Sequence, residues 1–351
     1  MEANRPNADT FNITDKTQWR AALQSARPVL IHLNADTTWL LQLPYPEGQT
    51  PPPGRSRFNL LIDPWLRGSQ CDVASWFSRQ WHVIASSVQT TDELDSLVAS
   101  VERPDDDAGD EGGGGGGGGG KGRPGTFIDA VAISHEFTDH CHQETLLELP
   151  SSVPIIATTK AAKMVRAGGH FDTVTTTPHF SRDSKAWQDA SRPPGLPSWL
   201  GISRIVTESN PLYFHSALMV TFETDAAGAS GPEAVIYTPH GLQASDLASV
   251  KAAGVRTLAL LHGLHSITLG SVRQLNLGAL NGIRAVGESG ARYWVATHDE
   301  VKRGKGLVAP LLKREQLTLQ DAVEAEKQRL RGAEPACRFE DLGSGDALLL
   351  E

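Results

Sequence analysis

Cysteine is nearly absent: three residues in 351, at positions 71, 141 and 337, with no C-x-x-C pair among them. That excludes a disulfide framework and a cysteine-rich zinc module as the organising principle. Basic runs are missing as well. The net charge is −9, and no Lys/Arg cluster along the chain offers the footprint that a phosphate backbone requires, so no nucleic-acid partner is expected. No apolar run approaches the roughly 18 to 20 residues of a membrane span, and no membrane partner is expected either. The opening MEANRPNADTFNITDK has neither a basic nor an apolar leader segment and is too acidic for a transit peptide, so a cytoplasmic address is expected. With hydrophobic residues at 39% and charged residues at 21%, the composition is that of a globular protein.

Glycine, by contrast, is abundant, and nine consecutive glycines lie in PDDDAGDEGGGGGGGGGKGRPG, residues 104–125. Such a stretch cannot bury apolar surface or hold one backbone conformation, so it is expected to be disordered. DELDSLVASVE before it predicts a helix and TFIDAVAIS after it a strand. It is therefore placed as an expansion within one connection, which costs little because loop-closure entropy grows slowly with length. The expected organisation is an N-terminal segment, 1–26, followed by a single domain, 27–351.

PVLIHLN, TWLLQLP and FNLLIDPW predict three early strands. After the glycines, strands and helices alternate: strand AVAIS (130–134), helix QETLLEL, strand VPIIAT (153–158), helix KAAKMVRAGG, then strands FDTVTT, ALMVTFE (217–223) and EAVIYTP (233–239). Strand RTLALL (256–261), a helix over LNLGALNGIRAVGES, and strand RYWVAT (292–297) follow. Thr318 and Asp321 form a capping box for a last helix, LQDAVEAEKQRL, before a closing strand DALLL. The fold class this pattern predicts is α/β (α+β): a four-layer αββα sandwich of two mixed β-sheets with helices on both outer faces.

The chemistry concentrates in AVAISHEFTDHCHQETLLEL, where His135, Asp139, His140 and His142 lie between the end of an apolar strand and the start of a helix. Loops at strand ends can converge side chains on one point. Imidazole with carboxylate is a donor set for zinc or iron.

This segment resembles the H-x-H-x-D-H signature of the metallo-β-lactamase superfamily, with His135, Asp139 and His140 at the first, fifth and sixth positions and Phe137 at the third. LLIDPWLRG, with Asp63, is similar to the first motif of the sugar-lactonase-like branch. VIYTPHG, with His240, is similar to the strand that ordinarily supplies a bridging aspartate, and WVATHDE, with His298, to the final histidine motif. The resemblance runs from about residue 28 to the end. It implies a metal-dependent hydrolase and a small-molecule substrate. Phenylalanine cannot ligate, and His240 stands where a bridging carboxylate is usual, so the implied site is for one ion, Zn²⁺ with Fe or Mn as alternatives. Its implied ligands are drawn from His135, Asp139, His140, His142, His240 and His298.

Asp63 is expected to orient the metal loop by hydrogen bonds. His179 and His215 are candidates for the superfamily's remaining histidine, and His262 and His265 could line the rim. Asp139, His142 and Glu136 are the catalytic candidates: Asp139 at the ion, His142 or Glu136 carrying the proton to the leaving group. His32, His82 and His170 are taken as structural. Trp187 and Trp199 flank a proline-rich loop that could lie over the site. Two functional classes follow: a hydrolase that activates water against an ester, lactone, amide or phosphodiester, or a metal-poor binding or scaffold protein on the same fold. Metal-dependent redox chemistry is a third.

Overall fold

Strand β3 (Trp39–Pro44) shows how the layers arise. All six of its residues are buried, and the side chains alternate between two different cores: Trp39, Leu41 and Leu43 on one side, Leu40 on the other. A strand apolar on both faces must lie in a sheet covered on both sides. The structure is a computed structural model that describes residues 9–103, 125–180, 193–207, 214–223, 231–270, 273–329 and 337–351. The glycine-rich stretch, apart from Gly125, and Trp187 lie outside the described residues.

The first sheet runs in the order β1 (Thr10–Asn12), β20 (Asp346–Leu349), β2 (Val29–His32), β3, β4 (Arg57–Ile62), β7 (Ala130–Ile133), β8 (Ile155–Ala157) and β9 (Val174–Thr176). The second runs β10 (Leu200–Val206), β11 (Ser216–Phe222), β12 (Glu233–Thr238), β13 (Arg256–His262), β16 (Tyr293–Val295) and β19 (Arg338–Glu340). Each is mixed: antiparallel at β2–β3–β4 and β10–β11–β12, parallel at β4–β7–β8–β9 and β12–β13–β16–β19.

Three apolar clusters separate four layers. Between the sheets, Trp39, Leu41, Leu60 and Ile62 meet Leu218, Val220, Val235 and Tyr237. Outside the first sheet, α1 (Lys16–Leu23), α2 (Thr91–Glu102), α3 (Gln143–Leu146) and α4 (Thr159–Gly168) contribute Trp19, Leu94, Val98, Leu146 and Ala161. Outside the second, α5 (Ala248–Ala252), α6 (Gly278–Ser289) and α7 (Leu319–Arg329) contribute Val250, Ile283, Val286 and Ala322. This is the αββα sandwich of two mixed sheets that the pattern predicts. The described part of 1–26 supplies α1 and the edge strand β1, which pairs with β20.

Two three-stranded sheets were not anticipated: β15 (Arg273–Leu277), β14 (His265–Leu269), β18 (Leu312–Gln316), and β17 (Arg303–Lys305), β6 (Ser78–Trp81), β5 (Ser69–Asp72). The expected helix over LNLGALNGIRAVGES is corrected accordingly: its first three residues belong to β15 and the helix begins at Gly278. Gly278 has φ +69° and sits so close to the β14 backbone that a Cβ would lie 2.9 Å from Ser266 N. Among the described residues, no helix is long and apolar enough to cross a membrane.

Candidate metal centre

Parallel strands bring their C-terminal ends to one edge of the sandwich, where loops can converge. Asp63 follows β4, His135 follows β7, His240 follows β12 and His298 follows β16. Asp63 and His298 are two of only three non-glycine residues with positive φ among the described residues, at +44° and +58°. Backbone held in that region costs of order 1–3 kcal/mol and persists where surrounding contacts dictate it. The turn after β12 needs Gly241 (φ +77°), because a Cβ there would meet His262 Nε2 and Leu277 Cβ at 2.9 Å.

Three imidazoles are fixed in the same manner. His140 Nδ1 donates to Asp63 Oδ2 (2.7 Å), His298 Nδ1 to Asp36 Oδ1 (3.0 Å) and His240 Nδ1 to Asn276 Oδ1 (2.9 Å). An oxygen acceptor at Nδ1 assigns the proton to that nitrogen and leaves the Nε2 lone pair free. The rings converge: centroids are 5.1 Å apart for His140 and His240, 5.2 Å for His140 and His298, and 5.0 Å for His240 and His298. Nε2 of His140 and of His240 are buried with no hydrogen-bond partner. Buried polar atoms are almost always satisfied, so two orphaned imidazole nitrogens beside a carboxylate fit a ligated cation. Asp139 is that carboxylate, with Oδ1 3.6 Å from His140 Nε2 and Oδ2 4.0 Å from His298 Nε2.

Donor atoms of Asp139, His140 and His298 lie within 4.8 Å of one another, as do those of His135, His140 and His240. His140 belongs to both groups. His135 is less available than the others, since its Nε2 lies 2.9 Å from the Phe214 carbonyl and its Nδ1 2.8 Å from Ser134 Oγ. Ser134 in turn donates its backbone N–H (2.7 Å) and its hydroxyl to Asp63.

Lys302 completes the centre. Its Nζ lies 2.6 Å from Asp36 Oδ2 and 3.0 Å from Asp139 Oδ2, with the side chain only 7% exposed. Burial works against all three charges. For Asp36, Lys302 and His298 outweigh it; for Asp139, Lys302, His140 and His298 do, and both carboxyls are held well below the usual carboxylate range. The lysine is raised by its two carboxylates. Burial and neighbouring histidines push His135 and His240 well down, and burial lowers His298. His140 goes the other way: burial opposes its charge, but Asp139 and Asp63 prevail.

No family model matches the chain, and no curated protein does. Among solved structures it is similar to a possible metal-dependent hydrolase from Veillonella parvula DSM 2008, with 15% identity, 92% of this chain and 100% of that one covered, and a TM-score of 0.54. It is also similar to an isothiocyanate hydrolase from Delia radicum gut bacteria, with 15% identity, coverage of 92% and 99%, and a TM-score of 0.52. The chain has the metallo-β-lactamase fold.

Within that metallo-β-lactamase fold, the cluster gathers His135, Asp139, His140, His240 and His298, with Asp63 behind them as a hydrogen-bonding partner. His142 and Glu136 are not brought into it. His142 caps α3, its Nδ1 accepting from Thr145 Oγ1 (3.0 Å), and Glu136 pairs with Lys160 (3.0 Å) toward the surface. His262 is bonded to Asn281 and the Gly263 carbonyl, both at 2.8 Å, and His179 is exposed beside β10. His215 donates from Nδ1 to the His240 carbonyl (3.2 Å) and so steadies the turn that presents it. Asp36, Lys302, Ser134 and Asn276 were missed. Asp36 lies in the turn between β2 and β3, where nothing in the local sequence marks it, and no local pattern distinguishes Lys302 from a surface lysine.

Phe137 stacks on Phe214 (5.1 Å, 19°) and forms part of the wall of a cleft of about 670 Å³ above the cluster. Asp72 lines the same cleft. Its Oδ1 accepts from Thr138 N (3.0 Å) and Oγ1 (3.1 Å), and burial, then Asp139, raises its carboxyl.

Proposed function

We propose that this chain is a mononuclear metal-dependent hydrolase of neutral carbonyl substrates: an ester, lactone or amide. The observation that carries the proposal is the set of three converging imidazoles with Nδ1 tied back, two of which, His140 and His298, bring Nε2 within 4.0 Å of Asp139. Charge supports a single divalent ion. Asp36, Asp63 and Asp139 contribute three negative charges and Lys302 one positive, leaving two for a cation to balance. His140 has only Nε2 to offer, because Asp63 holds Nδ1, so the two donor groups that share it are alternatives rather than two sites. Asp139, His140 and His298 would hold the ion, with His240 as the fourth ligand, in the N/O donor set that suits Zn²⁺.

A divalent ion in such a site supplies activation of water near neutral pH and polarisation of a carbonyl oxygen. The residues of the chain do the rest. Asp63, Asp36 and Asn276 keep the imidazoles aimed, and Lys302 holds Asp139 in place. Phe137, Phe214, Ile267, Leu275 and Leu312 give the cleft apolar walls, which seat an acyl group and exclude water. Asp72 Oδ2 is free of the Thr138 bonds and is the atom we assign to carry a proton to the leaving group, the role the sequence offered to Glu136 or His142.

A phosphodiester is disfavoured by the cations of the cleft. Lys302 is committed to two carboxylates, and Arg314 to the carbonyls of Asp299 (3.3 Å) and Glu300 (3.1 Å) and to His265. Neither remains to meet a phosphate, which charge-assisted recognition would require. The test is metal analysis of protein purified without added metal, alongside a panel of neutral esters, lactones, amides and phosphodiesters. About one equivalent per chain is expected, falling when His140 or His298 becomes alanine, with turnover of a neutral acyl compound. Metal-free protein whose stability ignores chelator would overturn the enzyme assignment, and turnover of phosphodiesters alone would overturn the substrate class.

A further inference from the structure

The small sheet β17–β6–β5 has two unlike faces. Ser78 and Gln80 of β6, Gln70 and Asp72 of β5, and Gly304 of β17 line the cleft. Strand alternation therefore puts Arg79, Trp81, Arg303 and Lys305 on the other side, and the register sets Lys305 opposite Arg79 and Arg303 opposite Trp81. Three cations gather round the one ring: Arg79 Cζ at 5.0 Å, Arg303 Cζ at 5.2 Å and Lys305 Nζ at 5.9 Å from its centroid. None of the three is in an ion pair among the described residues. In a chain of net charge −9, residues 69–84 and 301–313 contain a single carboxylate, Asp72, and it faces the cleft.

The same two stretches hold seven of the ten exposed large hydrophobic side chains among the described residues. At one end of the sheet are Val73 (86% exposed), Trp76 (64%) and Leu307 (61%), linked by a hydrogen bond from Leu307 N to the Trp76 carbonyl (3.2 Å); at the other are Val83 and Ile84. Scattered exposed hydrophobics are ordinary, but a concentration beside unpaired cations calls for an occupant. Val73 is moreover a β-branched residue at φ +68°, a conformation that folding alone does not favour.

We propose that this face docks on a bilayer rich in acidic phospholipid, with Arg79, Arg303 and Lys305 meeting headgroups while Trp76, Val73 and Leu307 enter the interface. Basic residues near such a surface are attracted to it, and tryptophan with aliphatic side chains favours the headgroup boundary. Two other occupants fit less well. Single-stranded nucleic acid would need a row of aromatic faces for base stacking, and with the Trp81 ring covered by cations only Trp76 is left exposed beside them among the described residues. A two-fold contact with a second copy would set this patch against itself, cation against cation.

Vesicle sedimentation tests the proposal. The protein is expected to pellet with phosphatidylcholine vesicles that contain phosphatidylserine, not with phosphatidylcholine alone, and binding should weaken as salt rises. R79Q/K305Q should lower the partition coefficient roughly twenty-five-fold, about fivefold for each charge lost. W76S/L307S should lower it with the charges intact. Both variants are checked for an unchanged melting temperature, and the exposed single variants K305Q and L307S replace them if either double variant unfolds. Failure to pellet with acidic vesicles overturns the proposal, as does binding indifferent to lipid charge. Retention of a single-stranded oligonucleotide without vesicle binding would overturn it in favour of nucleic acid, and salt-insensitive dimerisation through these residues would overturn it in favour of self-association.

Discussion

Asp63 touches no ligand site itself, yet it holds His140 Nδ1, Ser134 N and Ser134 Oγ at once. Partners of this kind set ring orientation, and their loss typically costs about 10–100-fold in metal affinity. Asp63→Asn should therefore weaken metal binding by about that factor in competition against a chelator, and unchanged affinity would show that His140 is oriented by something else. This residue's role was legible through the resemblance of LLIDPWLRG to the superfamily's first motif, in which an aspartate follows an early strand. Asp36 carries the same role for His298 and was not legible, because it lies in an unremarkable hairpin turn and meets its partner from 262 residues away. Cys141 illustrates the opposite case, a reactive residue type inside the motif that the structure makes inert. Burial, reinforced by Asp63 and Glu136, pushes its thiol up to about 12. In the native protein it should resist iodoacetamide at mildly alkaline pH and label only after unfolding, as read by mass spectrometry.

Helix α6 shows how an element is fitted to its sheet. Gly282 faces β13 and β16, where a Cβ would lie 2.5 Å from Trp294 Cζ2 and 3.0 Å from His262 Nδ1. Gly287, on the same helix, is exposed with nothing within 4 Å. Gly282→Ala should destabilise the protein by about 1–3 kcal/mol through overpacking. Gly287→Ala should stabilise it by about 0.5–1 kcal/mol through the unfolded chain and helix propensity. Urea unfolding of the pair checks both, and equal effects would refute the packing account. The capping box was legible and forms as expected, Thr318 N donating to Asp321 Oδ2 (2.9 Å) and Asp321 N to Thr318 Oγ1 (3.1 Å). The strands of the two accessory sheets were not legible. β14 is half-buried throughout and β17 exposed throughout, so neither shows the apolar alternation that marks a strand whose one face enters a core.

At the scale of the whole molecule, the proposed metal and protons are both linked to stability. An ion that binds only the folded chain stabilises it by about 2.7 kcal/mol at a hundred times its Kd. Chelator should accordingly lower the melting temperature of the wild-type protein and leave that of the His298→Ala variant nearly unchanged, as followed by thermal melts. A second linkage lies at the far end of the sandwich. Asp129 is buried against Asn59 N (2.7 Å) and Arg55, and burial raises its carboxyl from 3.8 to about 6. A carboxyl raised in the folded state binds its proton more tightly there than in the unfolded chain. The stability it lends is fully present below about pH 4 and lost as pH rises through about 6. Asp129→Asn should flatten that decline, measured by urea midpoints across the window; an unaltered slope would refute it. The sequence by itself determined the layered sandwich and the strand-end cluster around Asp139 and His140, because burial and strand-to-loop succession are written in neighbouring residues. Among the histidines that the resemblance offered, only the tertiary structure separated His240 and His298, which join that cluster, from His142 and His262, which do not, and only it showed that Lys302 neutralises one of its carboxylates and that Arg79, Arg303 and Lys305 share one surface. Coulomb energy and ligation depend on distance in space, and the chain brings residues 36, 139 and 302 together only once both sheets have formed.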